Sequence, residues 1–140
     1  MIQTLLPFHN IYPSISCLSD EHLCEQRVNA KKILDTLENK SKTHRHHPAV
    51  KMWKGNEELL RGYLSSCITQ WIKRGHSNNM ESPRVQHHKI KLPLWWGGYI
   101  HSSHRAYLLR ENPKHYAEWG WKINLATPVF WPIRHNGQLK

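Results

Sequence analysis

Between Leu18 and Lys40 the apolar residues Leu23, Ala30, Ile33, Leu34 and Leu37 recur at steps of three and four. That spacing gathers them on one stripe and predicts a helix packed against a core. Ser19 is a good N-cap, and Asp20 and Glu21 suit the positive end of the helix dipole, so the helix is expected to start there. At about 100° per residue, His22, Gln26 and Asn29 fall together along one edge of the stripe. A polar line bordering a core is a natural place for a site.

A second apolar face is formed by Leu59, Leu60, Tyr63, Leu64, Cys67, Ile68, Trp71 and Ile72. The helix carrying it is expected to run from Pro48, where a missing amide costs nothing, to Arg74 before the stop at Gly75. Gly55 is expected to kink or split it. Residues 76–98 mix Ser, Asn, Pro, Gly and cations without sustained period and read as a long connection. A third helix is expected over His101 to Glu111, with a short turn from Pro113 to Trp119. From Ile123 onward Pro128, Trp131 and Pro132 predict an irregular tail held by aromatic packing. The fold class is therefore all-α: one compact domain over residues 1–140, with about three main helices, a long loop and an irregular aromatic C-terminal tail.

Composition adds a partner to this scaffold. Twenty Lys and Arg against ten Asp and Glu leave a formal charge of +10, and the cations are spread from Arg27 to Lys140 instead of sitting in one tail. A folded basic face attracts polyanions, and phosphate neutralisation supplies salt-dependent affinity. Nucleic acid is the first partner to consider. No expected helix joins a basic face to a broad exposed apolar one, which argues against a membrane surface.

Cys17, Cys24 and Cys67 are odd in number and lack C-x-x-C spacing, so no disulfide framework or zinc ribbon is expected and a reducing, cytoplasmic setting fits. The start of the chain lacks a positive n-region and is broken by Pro7, and no run nears the ~20 apolar residues of a membrane span. The His44-Arg45-His46-His47 and His87-His88 clusters lack the ligand spacing of a metal site. No Gly-rich phosphate loop is present, so neither a nucleotide cofactor nor any other is expected.

Several stretches together resemble the pyrimidine-dimer DNA glycosylase family, the phage endonuclease V type, and most closely its small bacterial relatives. They are Leu18-Ser-Asp-Glu-His-Leu23 with Gln26-Arg27-Val28-Asn29-Ala30-Lys31, then His47-Pro48-Ala49-Val50-Lys51-Met52-Trp53, then Trp71-Ile-Lys-Arg-Gly75. Further on come Ser103-His104-Arg105 with Leu108-Leu109-Arg110, Pro113-Lys-His-Tyr116, and Phe130-Trp131-Pro132. The resemblance implies a compact helical protein whose N-terminal segment threads between helices, so that the chain's own amine attacks the sugar C1′ of a damaged nucleotide. Base release and β-elimination from the resulting imine then follow.

Carried onto this chain, the resemblance makes Met1 the source of the amine, because Ile2 is bulky for removal of the initiator. It places Asn29 where the family has its catalytic glutamate, and it keeps His22 as a site residue. Asn cannot neutralise an oxocarbenium charge or take a proton at useful pKa. Three explanations stand: a slow or specialised glycosylase, a member turned to DNA binding or another role, or an inactivated variant. An ordinary polar residue on a helix edge is a further reading of Asn29.

Gln26, Arg27, Lys32, Arg45, His47, His104 and Arg105 are expected at the DNA, the arginines as bidentate phosphate donors. Trp95 and Trp96 divide between stacking on a base and filling the core. The expected partner is double-stranded DNA with a damaged or modified base, bound by a monomer.

Overall fold

A computed structural model describes residues 2–132 and, beyond them, only the backbone of Arg134–His135 and Gln138–Leu139. Among the described residues six α-helices run in order: α1 Ile11–Ser16, α2 Asp20–Leu37, α3 Pro48–Trp53, α4 Glu57–Lys73, α5 Tyr99–Glu111 and α6 Pro113–Tyr116. The only described strands are the two-residue antiparallel pair β1 Arg134–His135 and β2 Gln138–Leu139, so the fold is all-α. No described helix is long and apolar enough to cross a membrane.

The long helices start and stop where local chemistry directs. The Ser19 side chain accepts from the His22 N–H at 3.2 Å, capping α2 as its sequence requires. At the other end the Lys40 N–H reaches the Asp35 carbonyl at 2.8 Å while Asn39 takes φ of 62°, closing the helix in a left-handed turn. The second expected helix is split, as Gly55 foretold: α3 ends at Trp53, Gly55 takes φ of 85°, and α4 begins at Glu57. The third helix starts at Tyr99, two residues before its expected origin. The short helix α1 was not foreseen, because its six residues carry too little period to read.

Residues 2–7 form the centre of the molecule, an extended and wholly buried segment around which the helices pack. α2 lies chiefly on α4, and Leu23, Ala30, Ile33 and Leu34 of the first meet Leu60, Leu64 and Ile68 of the second in one core with Leu5 and Leu6. Trp53, Tyr63 and Tyr116 are among its largest fully buried side chains. Phe130 and Trp131 pack against the core as expected, and hydrogen bonds add to that tether: Arg110 donates to the carbonyls of Leu125 at 2.7 Å and Thr127 at 2.6 Å, and the Phe130 N–H donates to Ser103 Oγ at 3.0 Å. The long connection between α4 and α5 holds one 3-10 turn at His87–Lys89.

Candidate functional site

A buried extended segment has peptide groups that no ladder or helix satisfies, and each one left unpaired costs about 1–3 kcal/mol. Here side chains from three helices take that role. The Leu5 N–H donates to Gln26 Oε1 at 2.8 Å and to the Tyr63 hydroxyl oxygen at 3.0 Å. Tyr63 sends its one proton to the Leu5 carbonyl or to Gln26 Oε1, both at 2.8 Å. The Leu6 N–H donates to His104 Nδ1 at 2.8 Å, and His101 Nδ1 donates to the Leu6 carbonyl at 2.8 Å. Arg105 holds the Pro7 carbonyl at 2.7 Å, and Trp53 Nε1 donates to Thr4 Oγ1 at 2.9 Å.

These partners fix the charge states of the two histidines. Burial pushes His104 down to about 3, so its ring is neutral and Nδ1 is free to accept. Burial lowers His101 as well; its Nε2 accepts from the Gly97 N–H at 2.9 Å, which leaves the proton on Nδ1.

At the start of the segment the clasp opens onto the polar edge of α2. Asn29 Nδ2 donates to the Gln3 carbonyl at 3.3 Å. Gln3 is 2% exposed, and its Oε1 finds no hydrogen-bond partner among the described residues. Tyr107 of α5 also faces this edge: burial, the Glu111 carboxylate and more weakly Glu25 push its hydroxyl up to about 12, while Gln3 acts in the other direction. Its O–H donates to Glu111 Oε1 at 3.3 Å. Two turns before Asn29, His22 Nδ1 lies 2.7 Å from the Tyr116 hydroxyl. Burial lowers His22 and raises Tyr116 to about 12, so the phenol donates and the imidazole accepts. Glu25, Glu111 and Glu21 pull His22 the other way.

The residues expected from sequence therefore separate. His22 and Asn29 do line the edge, and Met1 lies outside the described residues. Gln26, His104 and Arg105, expected at the DNA, turn inward and spend their hydrogen bonds on the threaded segment; Gln26 at 1% and His104 at 2% exposure present no surface to a duplex. Trp95 is core, 6% exposed and edge-on against Trp53 with ring centroids 5.4 Å apart. Trp96 is half-buried and donates from Nε1 to the His9 carbonyl at 2.8 Å.

Arg27 also faces inward, 8% exposed. Its guanidinium lies 5.1 Å from the Trp71 ring centre and donates to Asn78 Oδ1 at 3.0 Å. Among the expected phosphate contacts, Lys32 and Arg45 remain exposed. Arg45 lines a cleft of about 350 Å³ with His46, Lys51 and Lys54. His47 caps α3 by accepting from the Ala49 N–H at 3.0 Å and meets Trp131 edge-on at 5.7 Å. Burial, then neighbouring His44, lowers it.

Sequence reading passed over Tyr63, His101, Glu25 and Tyr107. One signal for Tyr63 was present: a tyrosine within an apolar helix face must find a partner for its hydroxyl, and Gln26 borders the facing stripe. Two such groups on packed helices announce a third polar element between them. Glu25 stands one turn before Asn29, on the same edge, and that spacing was legible.

The described fold is a helical core packed around residues 2–7, with the polar edge of α2 beside Gln3. The family follows directly. A family model described as pyrimidine dimer DNA glycosylase matches residues 5–83, from the threaded segment through α4 and into the long loop, and the chain belongs to this family of DNA repair glycosylases. Comparison with curated proteins and with solved structures returned no match. α5, α6 and the tail lie outside the matched span.

Proposed function

We propose that the protein excises a damaged or modified pyrimidine from duplex DNA, with the α-amine of Met1 as nucleophile. The observation that carries this reading is the threading of residues 2–7 toward Asn29, ending in the Asn29 to Gln3 hydrogen bond. Met1 is two residues from Gln3 in the chain. An α-amine has a reference pKa near ~7.7 to 8.0, so an appreciable neutral, nucleophilic fraction is present at neutral pH.

In the reaction the amine nitrogen bonds to C1′ as the bond from C1′ to the base breaks. The base leaves with the electron pair and takes a proton, and the amine loses one. The sugar ring opens to an imine, and loss of a C2′ proton expels the 3′ phosphate. Asn29 orients the segment by its hydrogen bond but has no carboxylate to give. Proton handling falls to Glu25 and Glu111, whose charges meet at Tyr107, with His22 neutral beside them. Lys32, and Arg45 with Lys51 and Lys54, hold the flanking phosphates.

Borohydride trapping with an abasic-site duplex tests the reading. A covalent complex is expected, and it should disappear when the α-amine is blocked by acylation. Glu25→Gln should slow base release at least tenfold, and Asn29→Glu should accelerate it. No trapped species from folded protein would remove the amine mechanism. Asn29 itself favours one second reading, a member that binds distorted DNA without excision. Steeply salt-dependent binding with no base released from a panel of dimers, abasic sites and modified pyrimidines would establish it.

A further inference from the structure

From Ser82 to Arg110 the chain contains no Asp or Glu, while it carries Arg84, Lys89, Lys91, Arg105 and Arg110. Within this stretch the loop before α5 is pinned at four places. The Gln86 N–H donates to Glu58 Oε2 at 2.8 Å, and Ile90 packs over Gly62, where an added Cβ would sit 3.9 Å from its Cδ1. Trp95 is sunk against Trp53, and Trp96 is tied to His9. Around the last two pins the backbone makes two overlapping tight turns, with Trp96 N–H to Pro93 carbonyl at 3.0 Å and Gly98 N–H to Trp95 carbonyl at 3.3 Å. Gly97 supplies the left-handed φ of 88° that the second turn needs.

What this fixed loop holds outward is apolar. Leu92 is 61% exposed, Leu94 90% and Tyr99 79%, three of the six large exposed hydrophobic residues described. A single exposed leucine is ordinary. Leu94 sits within the pinned double turn and Leu92 and Tyr99 flank it, while the exposed Lys89 and Lys91, which line a cleft with Glu38, Glu57 and Glu58, precede it. An apolar tip after a cationic stem is a combination with a specific use. Proteins that deform duplex DNA insert leucine-like wedges between base steps while neighbouring cations hold the phosphates.

We propose that residues 89–99 form a duplex-DNA wedge, with Leu94 entering a base step and Lys89 and Lys91 gripping the flanking phosphates. This rests on the reading that the protein acts on duplex DNA. The charge favours that partner over a second copy of the chain, whose equally basic loop would be repelled. A few apolar side chains are also far short of the ~1,000 Å² that a specific protein interface buries. The wedge stem shares a wall with the threaded segment, because Trp53 touches both Trp95 and Thr4. Flipping a nucleotide costs a few kcal/mol of unstacking, which an inserted side chain offsets by filling the opened step.

The test uses the full chain and a duplex with a tetrahydrofuran abasic analogue beside 2-aminopurine. Wild-type protein should raise the 2-aminopurine emission severalfold on binding. Leu94→Ser should keep affinity within about tenfold and lose most of that rise, whereas Leu94→Met should retain it. Lys89→Gln with Lys91→Gln should lower the slope of log affinity against log salt by roughly 2. Unchanged emission with Leu94→Ser, while wild type binds and unstacks, overturns the wedge and leaves the excision reading standing. Absence of any duplex binding by wild type removes both. Leu94-dependent binding to anionic lipid vesicles, or Leu94-dependent dimerisation in sedimentation, without the emission rise would also overturn it.

Discussion

Residues 2–7 and the loop 89–98 both lie mostly outside regular structure, yet every residue of the first is buried while the second holds Leu94 at 90% exposure. The two differ in who satisfies the backbone. Around the first, Gln26, Tyr63, His101, His104 and Arg105 reach in from α2, α4 and α5 and meet its peptide groups one by one. Around the second, the contacts come through the side chains of Ile90, Trp95 and Trp96, while Leu94 faces solvent. Irregular chain can thus occupy a core when neighbouring helices donate the polar groups that a ladder would supply. Without them it stays on the surface, where it is available to a partner.

The largest expected effect comes from breaking the clasp. His104→Ala removes the acceptor for the Leu6 N–H and opens a cavity at a site 2% exposed, and should cost at least about 3 kcal/mol in denaturant unfolding. A loss no larger than that of a surface substitution would erase the distinction between the two segments. Acid should loosen the same region. His104 titrates at about 3 when folded and near its ordinary value of 6.5 when unfolded, so between these limits the unfolded chain binds more protons. Stability is then full above pH 6.5 and falls as pH drops toward 3, by roughly 1 kcal/mol per unit. Lowered His101 adds in the same direction. Unfolding midpoints that stay level between pH 7 and 4.5 would contradict this.

Tyr63→Phe should cost less, about 1–3 kcal/mol, since the ring still fills its space while the Leu5 carbonyl loses its partner. Thermal unfolding of that variant, followed by circular dichroism, measures it. The smallest effect belongs to the other segment. Leu94→Ser should alter stability by no more than about 0.5 kcal/mol, and a larger loss would mean that the turn is packed and not presented.

Helix periodicity, caps and Gly55 were enough to locate the three long helices and the break between α3 and α4, because those signals act within a few residues of one another. The edge formed by His22 and Asn29 was legible for the same reason. The direction in which Arg27, Gln26, His104, Arg105 and Trp95 point was not. The four polar ones sit on helices, where a cation, amide or imidazole serves a phosphate or a buried peptide equally well until the neighbour is known, and Trp95 sits in a loop whose partner Trp53 is distant in sequence.

Local order along α2 and α4 determined a basic, helical scaffold with a polar edge at Asn29. The family resemblance implied an N-terminal segment threaded between helices; only the tertiary structure decided which side chains pair with residues 2–7, committing Gln26, His104 and Arg105 inward and leaving Lys32, Arg45 and Leu94 outside. The physical reason is that a buried backbone must be paired by whatever is near it, and what is near it is fixed by packing across the whole chain, not by its own sequence.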